Sequence, residues 1–130
     1  MANEEVMRRY RAPAYREKTD AFRQKHENNT GKLLQASGDN PLCGDSLEIS
    51  VWLDDTNTIR DIRYDGYGCS LCIASAECLL EQVSGKTANE ALALDAQNII
   101  AGLGGITVGR SRMRCVELSA QVLRRALEQL

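Results

Sequence analysis

Aromatic residues and long apolar runs are both scarce in this chain. Its 130 residues include one tryptophan, one phenylalanine and four tyrosines, so the core must be built mainly from Leu, Ile, Val and Ala. No apolar run approaches the ~20 residues that a membrane-spanning helix needs, and the opening residues lack the apolar stretch of a secretory signal. We therefore expect a cytoplasmic protein with no membrane partner.

Positive charge is not in excess either. The formal net charge is −2 at pH 7, which gives no electrostatic basis for expecting a nucleic-acid partner. A chain of this length with 43% hydrophobic residues supports one domain around one core. We expect residues 1–130 to form a single domain whose charge-rich residues 1–29 are helical, with His26 facing solvent.

Alternating apolar residues predict strands in the first half of the chain. Residues 47–53 carry an apolar side chain at every second position, the pattern of a half-buried strand. After a turn, residues 58–64 are predicted to return beside it. Leu33-Leu34 predicts a short strand before this pair, followed by a turn at Ser37–Pro41. Together these segments predict an antiparallel hairpin or meander.

The second half of the chain predicts helices. Ser70–Val83 has apolar residues along one face, and a capping box at Thr87–Glu90 opens a helix that runs to about Ile100. A last helix is predicted from about Cys115 to Leu130, after a flexible connection at 102–109. Strands followed by helices predict an α+β fold, in which helices pack on one face of a small antiparallel sheet of about three strands.

Five cysteines are the chemical signature of the chain. An odd number of thiols in a reducing compartment favours metal, redox or sulfur chemistry over a disulfide framework. Cys43-Gly-Asp45 combines a soft thiolate with a harder, more easily displaced carboxylate, which suits a site that must release its metal. The alternative for this motif is a turn with a buried thiol and a capping carboxylate.

Two further thiols are predicted to lie at helix N-termini. Backbone N–H groups and the helix dipole favour an anion there, so we expect Cys69 to have a lowered pKa. Cys115 has the same predicted position, with Arg112 and Arg114 beside it. We therefore expect Cys115 to be the most nucleophilic thiol of the chain.

Cys72 completes a Cys-x-x-Cys motif with Cys69, which is a spacing of metal ligands or of a redox pair. The alternative is that Cys72 packs inward with Ile73 and Ala76. Cys78, deeper in the same predicted helix, is interpreted as a core residue.

As a set, these motifs resemble the IscU/NifU/SufU family of iron–sulfur cluster assembly scaffolds. The resemblance covers roughly Tyr15 to the C-terminus, and its motifs recur in order at similar spacing: Asn40-Pro-Leu-Cys-Gly-Asp45, Gly66-Tyr-Gly-Cys-Ser70, Ile73-Ala-Ser-Ala76, Gly85-Lys-Thr87 and Cys115. The resemblance implies one exposed site lined by Cys43, Asp45, Cys69 and Cys115. It implies that a cysteine desulfurase delivers sulfur there, with Cys115 as the persulfide acceptor. A labile 2Fe–2S or 4Fe–4S iron–sulfur cluster would then be assembled and passed to acceptor apoproteins by a scaffold that is not an enzyme.

A zinc site is the alternative that the resemblance leaves open. In the SufU branch, the corresponding side chains are similar to a zinc site that engages the desulfurase. The chain would then be a zinc-dependent sulfur acceptor, closer to an enzyme than to a scaffold. A monomer and a cluster-bridged homo-oligomer are both compatible with these residues.

The chain departs from the family pattern at several positions. Arg114 stands where the IscU branch has a histidine, and Gly105–Gly109 replaces the Leu-Pro-Pro-Val-Lys motif that docks a chaperone. Cys72 occupies a position usually filled by a small residue. We predict that Cys72 acts as a fourth thiolate, because ligation by cysteine alone favours a firmly held cluster.

Overall fold

The computed structural model describes residues 3–130, which contain six helices and three strands. In chain order these are α1 (Glu4–Arg11), α2 (Thr19–His26), β1 (Lys32–Asn40), β2 (Asp45–Leu53), β3 (Ile59–Tyr67), α3 (Ser70–Val83), α4 (Ala88–Leu92), α5 (Ala96–Gly102) and α6 (Met113–Leu127). The strands form one antiparallel sheet in the order β1-β2-β3. The predicted α+β class is confirmed. Met1 and Ala2, part of the segment expected to be helical, lie outside the described residues.

One face of the sheet carries the core. The apolar residues that alternate along β2 point to this face, and none is more than 1% exposed: Leu47, Ile49, Val51 and Leu53. The alternation predicted from the sequence is therefore confirmed. Because β2 is the central strand, its inward side chains are flanked by those of β1 and β3 and are covered by the helices that pack on this face.

Two long helices form the layer above that face. α3 and α6 pack against each other, with α6 on β1 and β2 and α3 on β3, while α1 packs on α3. The bounds of α3 are those predicted from the sequence, and its predicted inner face is buried. Within residues 3–130, no helix is both long and apolar enough to cross a membrane.

α2 covers part of the opposite face of the sheet, against β2 and β3. Phe22 is fully buried there, and His26 stacks on Trp52 with ring centroids 5.0 Å apart. His26 Nε2 also lies 2.7 Å from Asp61 Oδ2. The expectation that His26 faces solvent is wrong. Trp52 points away from the main core, and the His26 ring packs on it and shields it from solvent.

β1 runs through the segment that was expected to turn. Its last residues pair with β2 in register, from Ser37 opposite Glu48 to Asn40 opposite Asp45. Gly38 is a packing position rather than a turn position, because a Cβ built on it would lie 2.8 Å from a methyl group of Val122 in α6. The chain reverses at residues 41–44 instead.

The helical region after β3 also differs from the prediction in two places. The capping box at Thr87–Glu90 is present, but it opens only the short α4. Asp95 then caps α5 through a second capping box with Asn98, so the predicted single helix to Ile100 is interrupted. Leu130, expected on the inner face of the last helix, lies beyond the end of α6 and is 49% exposed.

We expect Gly38→Ala to lower the free energy of unfolding by about 1–3 kcal/mol, the usual cost of overpacking a core. The added carbon would lie 2.8 Å from Val122 and 3.0 Å from Arg125, so α6 would be pushed away from β1. The opposing gain, from a less flexible unfolded chain, is only about 0.4–1 kcal/mol. Urea unfolding followed by circular dichroism measures the difference.

The control is Gly109→Ala, where no described residue beyond the chain neighbours lies within 4 Å of the added carbon. A Gly38→Ala variant as stable as this control would contradict the close packing of α6 on β1.

Candidate metal centre

The cysteine motifs meet at one end of the sheet. Because the strands are antiparallel, the end of β1, the start of β2 and the end of β3 lie at the same end of the sheet. The turn at 41–44 and the junction at 68–69 both lie at this end, and the N-terminus of α6 lies beside them. All five cysteines are free thiols.

A tight turn presents Cys43 and Asp45. The carbonyl of Asn40 accepts hydrogen bonds from the N–H groups of Cys43 and Gly44, at 3.1 and 2.9 Å. Gly44 has φ = +73°, a left-handed conformation that glycine adopts without strain. As a result the Cys43 thiol is exposed, whereas Asp45 two residues later is only 1% exposed.

Cys43, Asp45 and Cys115 bring their ligand atoms within 4.8 Å of one another. Asp45 Oδ1 accepts the N–H of Cys69 at 3.0 Å. The second oxygen, Oδ2, is buried and has no hydrogen-bond partner among residues 3–130. A buried and unpaired carboxylate oxygen is costly to maintain. A metal bound by this oxygen together with the two sulfurs would remove that cost.

Cys69 lies beside Asp45 at the start of α3. Its sulfur accepts the N–H of Cys72 at 3.4 Å, so Cys69 occupies the N-cap position expected from the sequence. Arg112 Nη2 lies 3.4 Å from the same sulfur. Hydrogen bonds to the sulfurs of Cys115 and Cys69 raise the pKa of Arg112. Arg112 thus links the α3 and α6 sides of the site.

Cys115 is fully buried in the first turn of α6. Its thiol donates to the sulfur of Cys43 at 3.7 Å. Burial raises the pKa of Cys115, and the nearby guanidinium of Arg112 offsets only part of that effect. Burial thus opposes the thiolate form that the sequence neighbours of Cys115 favour. Arg114, the second cation expected beside it, instead lines a neighbouring groove with Glu117.

Asn40 is a site residue to which the sequence interpretation assigned no role. It is 5% exposed, and its Nδ2 lies 4.0 Å from the sulfur of Cys115. Its carbonyl also forms the turn that carries Cys43. The signal available in the sequence was its position directly before Pro41 in the first cysteine motif.

Cys72 lies in the first turn of α3 and is fully buried. Its sulfur is not among the ligand atoms that lie within 4.8 Å of one another, which are those of Cys43, Asp45 and Cys115. A Cβ built on Gly68 would lie 2.9 Å from the Cys72 sulfur and 3.0 Å from Asp45 Oδ1. The absent side chain of Gly68 therefore leaves a gap that the thiol and the carboxylate share. Burial raises the pKa of Cys72, and the negative charge of Asp45 adds to the effect. Cys78 is elsewhere in the core, as predicted, with its sulfur 3.6 Å from the carbonyl of Ile99.

Exposed apolar and basic side chains surround the site. Leu42, directly before the first thiol, is 75% exposed, and Tyr67, at the end of β3, is 67% exposed. The segment leading into α6 adds two exposed arginines, Arg110 and Arg112. Large apolar side chains that are this exposed beside a functional site are typical of a protein-binding surface.

The arrangement defines an α+β domain with a candidate metal site of thiols and one carboxylate at one end of its sheet. Several soft sulfur donors with one hard oxygen form a donor set that suits zinc or an iron–sulfur centre. The chain belongs to the family of NifU-like N terminal domains, whose family model matches residues 1–130. The resemblance inferred from the cysteine motifs is confirmed.

Curated relatives include the iron–sulfur cluster assembly scaffold protein IscU 1 of Archaeoglobus fulgidus. The chain is 37% identical to it over 103 residues, which cover 76% of the chain and 65% of the relative. The scaffold protein IscU of Aquifex aeolicus is 32% identical over 105 residues, which cover 77% of the chain and 66% of that relative. The chain thus spans just under two thirds of the length of these relatives.

Solved structures share the fold. The crystal structure of a putative iron–sulfur cluster assembly scaffold protein for the SUF system, from Fervidobacterium Islandicum AW-1, has a TM-score of 0.75 and 23% identity, and the match covers 97% of this chain and 96% of that one. A NifU-like protein (N-terminal) from Brucella abortus has a TM-score of 0.74 and 14% identity, with 98% and 92% covered. These similarities show that the sheet and its helix layer are arranged as in those proteins.

We expect Gly68→Ala to weaken metal binding about tenfold, a change of about 1.4 kcal/mol, while the domain stays folded. The new methyl group would fill the gap between Asp45 and Cys72, so one of the two must move away from the site. Isothermal titration with Zn²⁺ under anaerobic conditions measures the affinity. Gly109→Ala again provides the control, and equal affinities for the two variants would show that the gap has no part in binding.

Proposed function

We propose that this protein assembles a labile iron–sulfur cluster and passes it to acceptor proteins. One observation carries the proposal: the buried Asp45 carboxylate, which has one unpaired oxygen, brings a ligand atom within 4.8 Å of the sulfurs of Cys43 and Cys115. The names of the curated relatives, which are cluster assembly scaffolds, support it. The protein acts in this role as a carrier rather than an enzyme, and its free thiols fit a reducing, cytoplasmic compartment.

The ligands have unequal strengths in this proposal. Cys43, Cys69 and Cys115 supply soft thiolates that bind iron firmly, and Asp45 supplies a harder oxygen that is displaced more easily. An acceptor thiolate would therefore replace Asp45 first, and release of the cluster would begin there. Arg112, in contact with Cys69, offsets part of the negative charge that the thiolates bring together.

Sulfur delivery is assigned to a cysteine desulfurase, with Cys115 as the persulfide acceptor. In that step, the Cys115 sulfur attacks the outer sulfur of the donor persulfide. The donor cysteine leaves as the thiol, with the proton that Cys115 gives up. Cys115 is fully buried beside the exposed Cys43, so the turn at 41–44 must open to admit the donor. The exposed Cys43 thiol marks the side from which the donor approaches.

Anaerobic reconstitution with iron and sulfide tests the proposal directly. We expect the wild-type protein to take up iron and acid-labile sulfide in about equal amounts and to develop a cluster absorption spectrum, because the site offers three thiolates and a carboxylate. Cys43→Ser should retain far less iron. Cys78→Ser is the matched control, since its sulfur contacts Ile99 rather than the site.

Metal analysis of protein purified without oxygen separates the scaffold from the zinc alternative. One tightly bound zinc per chain, together with failure to reconstitute any cluster, would contradict the scaffold role. That result would support a zinc-dependent sulfur acceptor that uses the same ligands.

The desulfurase is proposed to dock on the exposed apolar side chains beside the site. We expect a Leu42→Ala/Tyr67→Ala double variant to lose about tenfold or more in affinity for the desulfurase, because exposed apolar anchors of this kind dominate binding energy. Biolayer interferometry measures the affinity. Tyr10→Ala is the control, an exposed aromatic residue on α1. If the double variant loses no more affinity for the desulfurase than Tyr10→Ala does, the docking surface lies elsewhere.

A further inference from the structure

Cys72 and Asp45 face each other across the gap left by Gly68. The position of a Cβ at Gly68 is 2.9 Å from the thiol sulfur and 3.0 Å from Asp45 Oδ1. Both residues are buried, at 0% and 1% exposure. A residue with a side chain at position 68 would separate them. Glycine at this position therefore keeps the Cys72 thiol next to the Asp45 carboxylate.

The surroundings of Cys72 differ from those of Cys78, the other thiol buried in α3. The Cys78 sulfur lies 3.6 Å from the carbonyl of Ile99, which precedes the end of α5, and so faces the helix layer. Cys72 lies on the side of α3 that faces Gly68 and Asp45. Its N–H donates to the sulfur of Cys69 at 3.4 Å, and its own sulfur borders the gap.

We propose that Asp45 and Cys72 are alternative ligands for one coordination position of the bound metal or cluster. The inference rests on the proposed function, because it requires a metal held by the other three thiols. In one state Asp45 Oδ2 completes the site. In the other state the Cys72 sulfur replaces it.

The exchange requires little movement of the backbone. Asp45 Oδ1 is held by the N–H of Cys69 at 3.0 Å, so the carboxylate stays in place while Oδ2 gains or loses the metal. Cys72 lies in the first turn of α3, and its sulfur already borders the gap. When Cys72 enters, the metal–oxygen bond breaks and a metal–sulfur bond forms. The thiol proton passes to the released carboxylate or to water, and no electron is transferred.

The two states differ in how firmly the metal is held. Ligation by Cys72 gives an all-thiolate site, which binds zinc or iron tightly, whereas ligation by Asp45 leaves one weak bond. The Cys72 state therefore retains the metal and the Asp45 state releases it. A scaffold with this pair can hold its cluster during assembly and still give it up.

Cobalt(II) binding to the purified apoprotein tests the exchange, because the intensity of thiolate-to-cobalt absorption increases with the number of bound thiolates. We expect Asp45→Asn to show the four-thiolate intensity, since its amide competes poorly for the metal. Adding Cys72→Ala to Asp45→Asn should lower that intensity by about one quarter, as one of four ligands in a tetrahedral site is lost. The rate at which a chelator removes the cobalt should rise about tenfold in the same step.

Cys72→Ser is measured beside Cys72→Ala, and thermal melts verify that each variant is folded. Cys78→Ala is the matched control in the same helix, and it should change neither the absorption nor the release rate. If adding Cys72→Ala to Asp45→Asn alters neither the absorption intensity nor the release rate of cobalt, the exchange is overturned. A three-thiolate cobalt spectrum in that case would leave the proposed function intact. If the wild-type protein binds neither cobalt nor a cluster, the proposed function fails, and the exchange fails with it.

Discussion

The site depends on the environment of a single buried carboxylate. Asp45 opens β2 and is almost inaccessible to solvent, yet only one of its oxygens is satisfied, by the N–H of Cys69. Among the described residues the other oxygen lacks a hydrogen-bond partner. Burying a polar group in this way opposes folding unless something binds it. The carboxylate lies in a group with the sulfurs of Cys43 and Cys115, so a thiophilic cation that binds there would satisfy its unpaired oxygen.

The fold places the other candidate donors in a turn, at a junction and at helix ends rather than in the middle of strands or helices. The β1–β2 turn carries Cys43, the β3–α3 junction carries Cys69, and the first turns of α3 and α6 carry Cys72 and Cys115. Turns and helix ends are anchored by the sheet and the helix layer but are less constrained than either. A site built from them can open for a sulfur donor or an acceptor while the core stays intact.

Much of the fold could be predicted because burial leaves a periodic pattern. The core buries one face of the strand at residues 47–53 and one face of the helix Ser70–Val83 along most of their length. Both elements were predicted correctly. Ser37–Asn40 was misjudged because its composition is that of a turn, whereas pairing with β2 and packing under α6 impose a strand. Local composition carries no information on either contact.

The candidate ligands were proposed from their motifs, but the motifs did not predict their environments. Cys115 was expected to be reactive from its neighbours in sequence, yet its burial results from Asn40 and Cys43, more than seventy residues away along the chain. The same limit applies to Cys72, whose relation to Asp45 depends on a glycine in a different motif. Long-range contacts of this kind set exposure and pKa, and the sequence does not display them.

X-ray absorption at the iron edge of the reconstituted protein identifies the atoms bound to the metal. We expect a shell dominated by sulfur with a minor oxygen contribution, and we expect the oxygen contribution to disappear in Asp45→Asn. A wild-type shell of nitrogen and oxygen with no sulfur from the protein would contradict this expectation, as would an oxygen contribution that survives in Asp45→Asn.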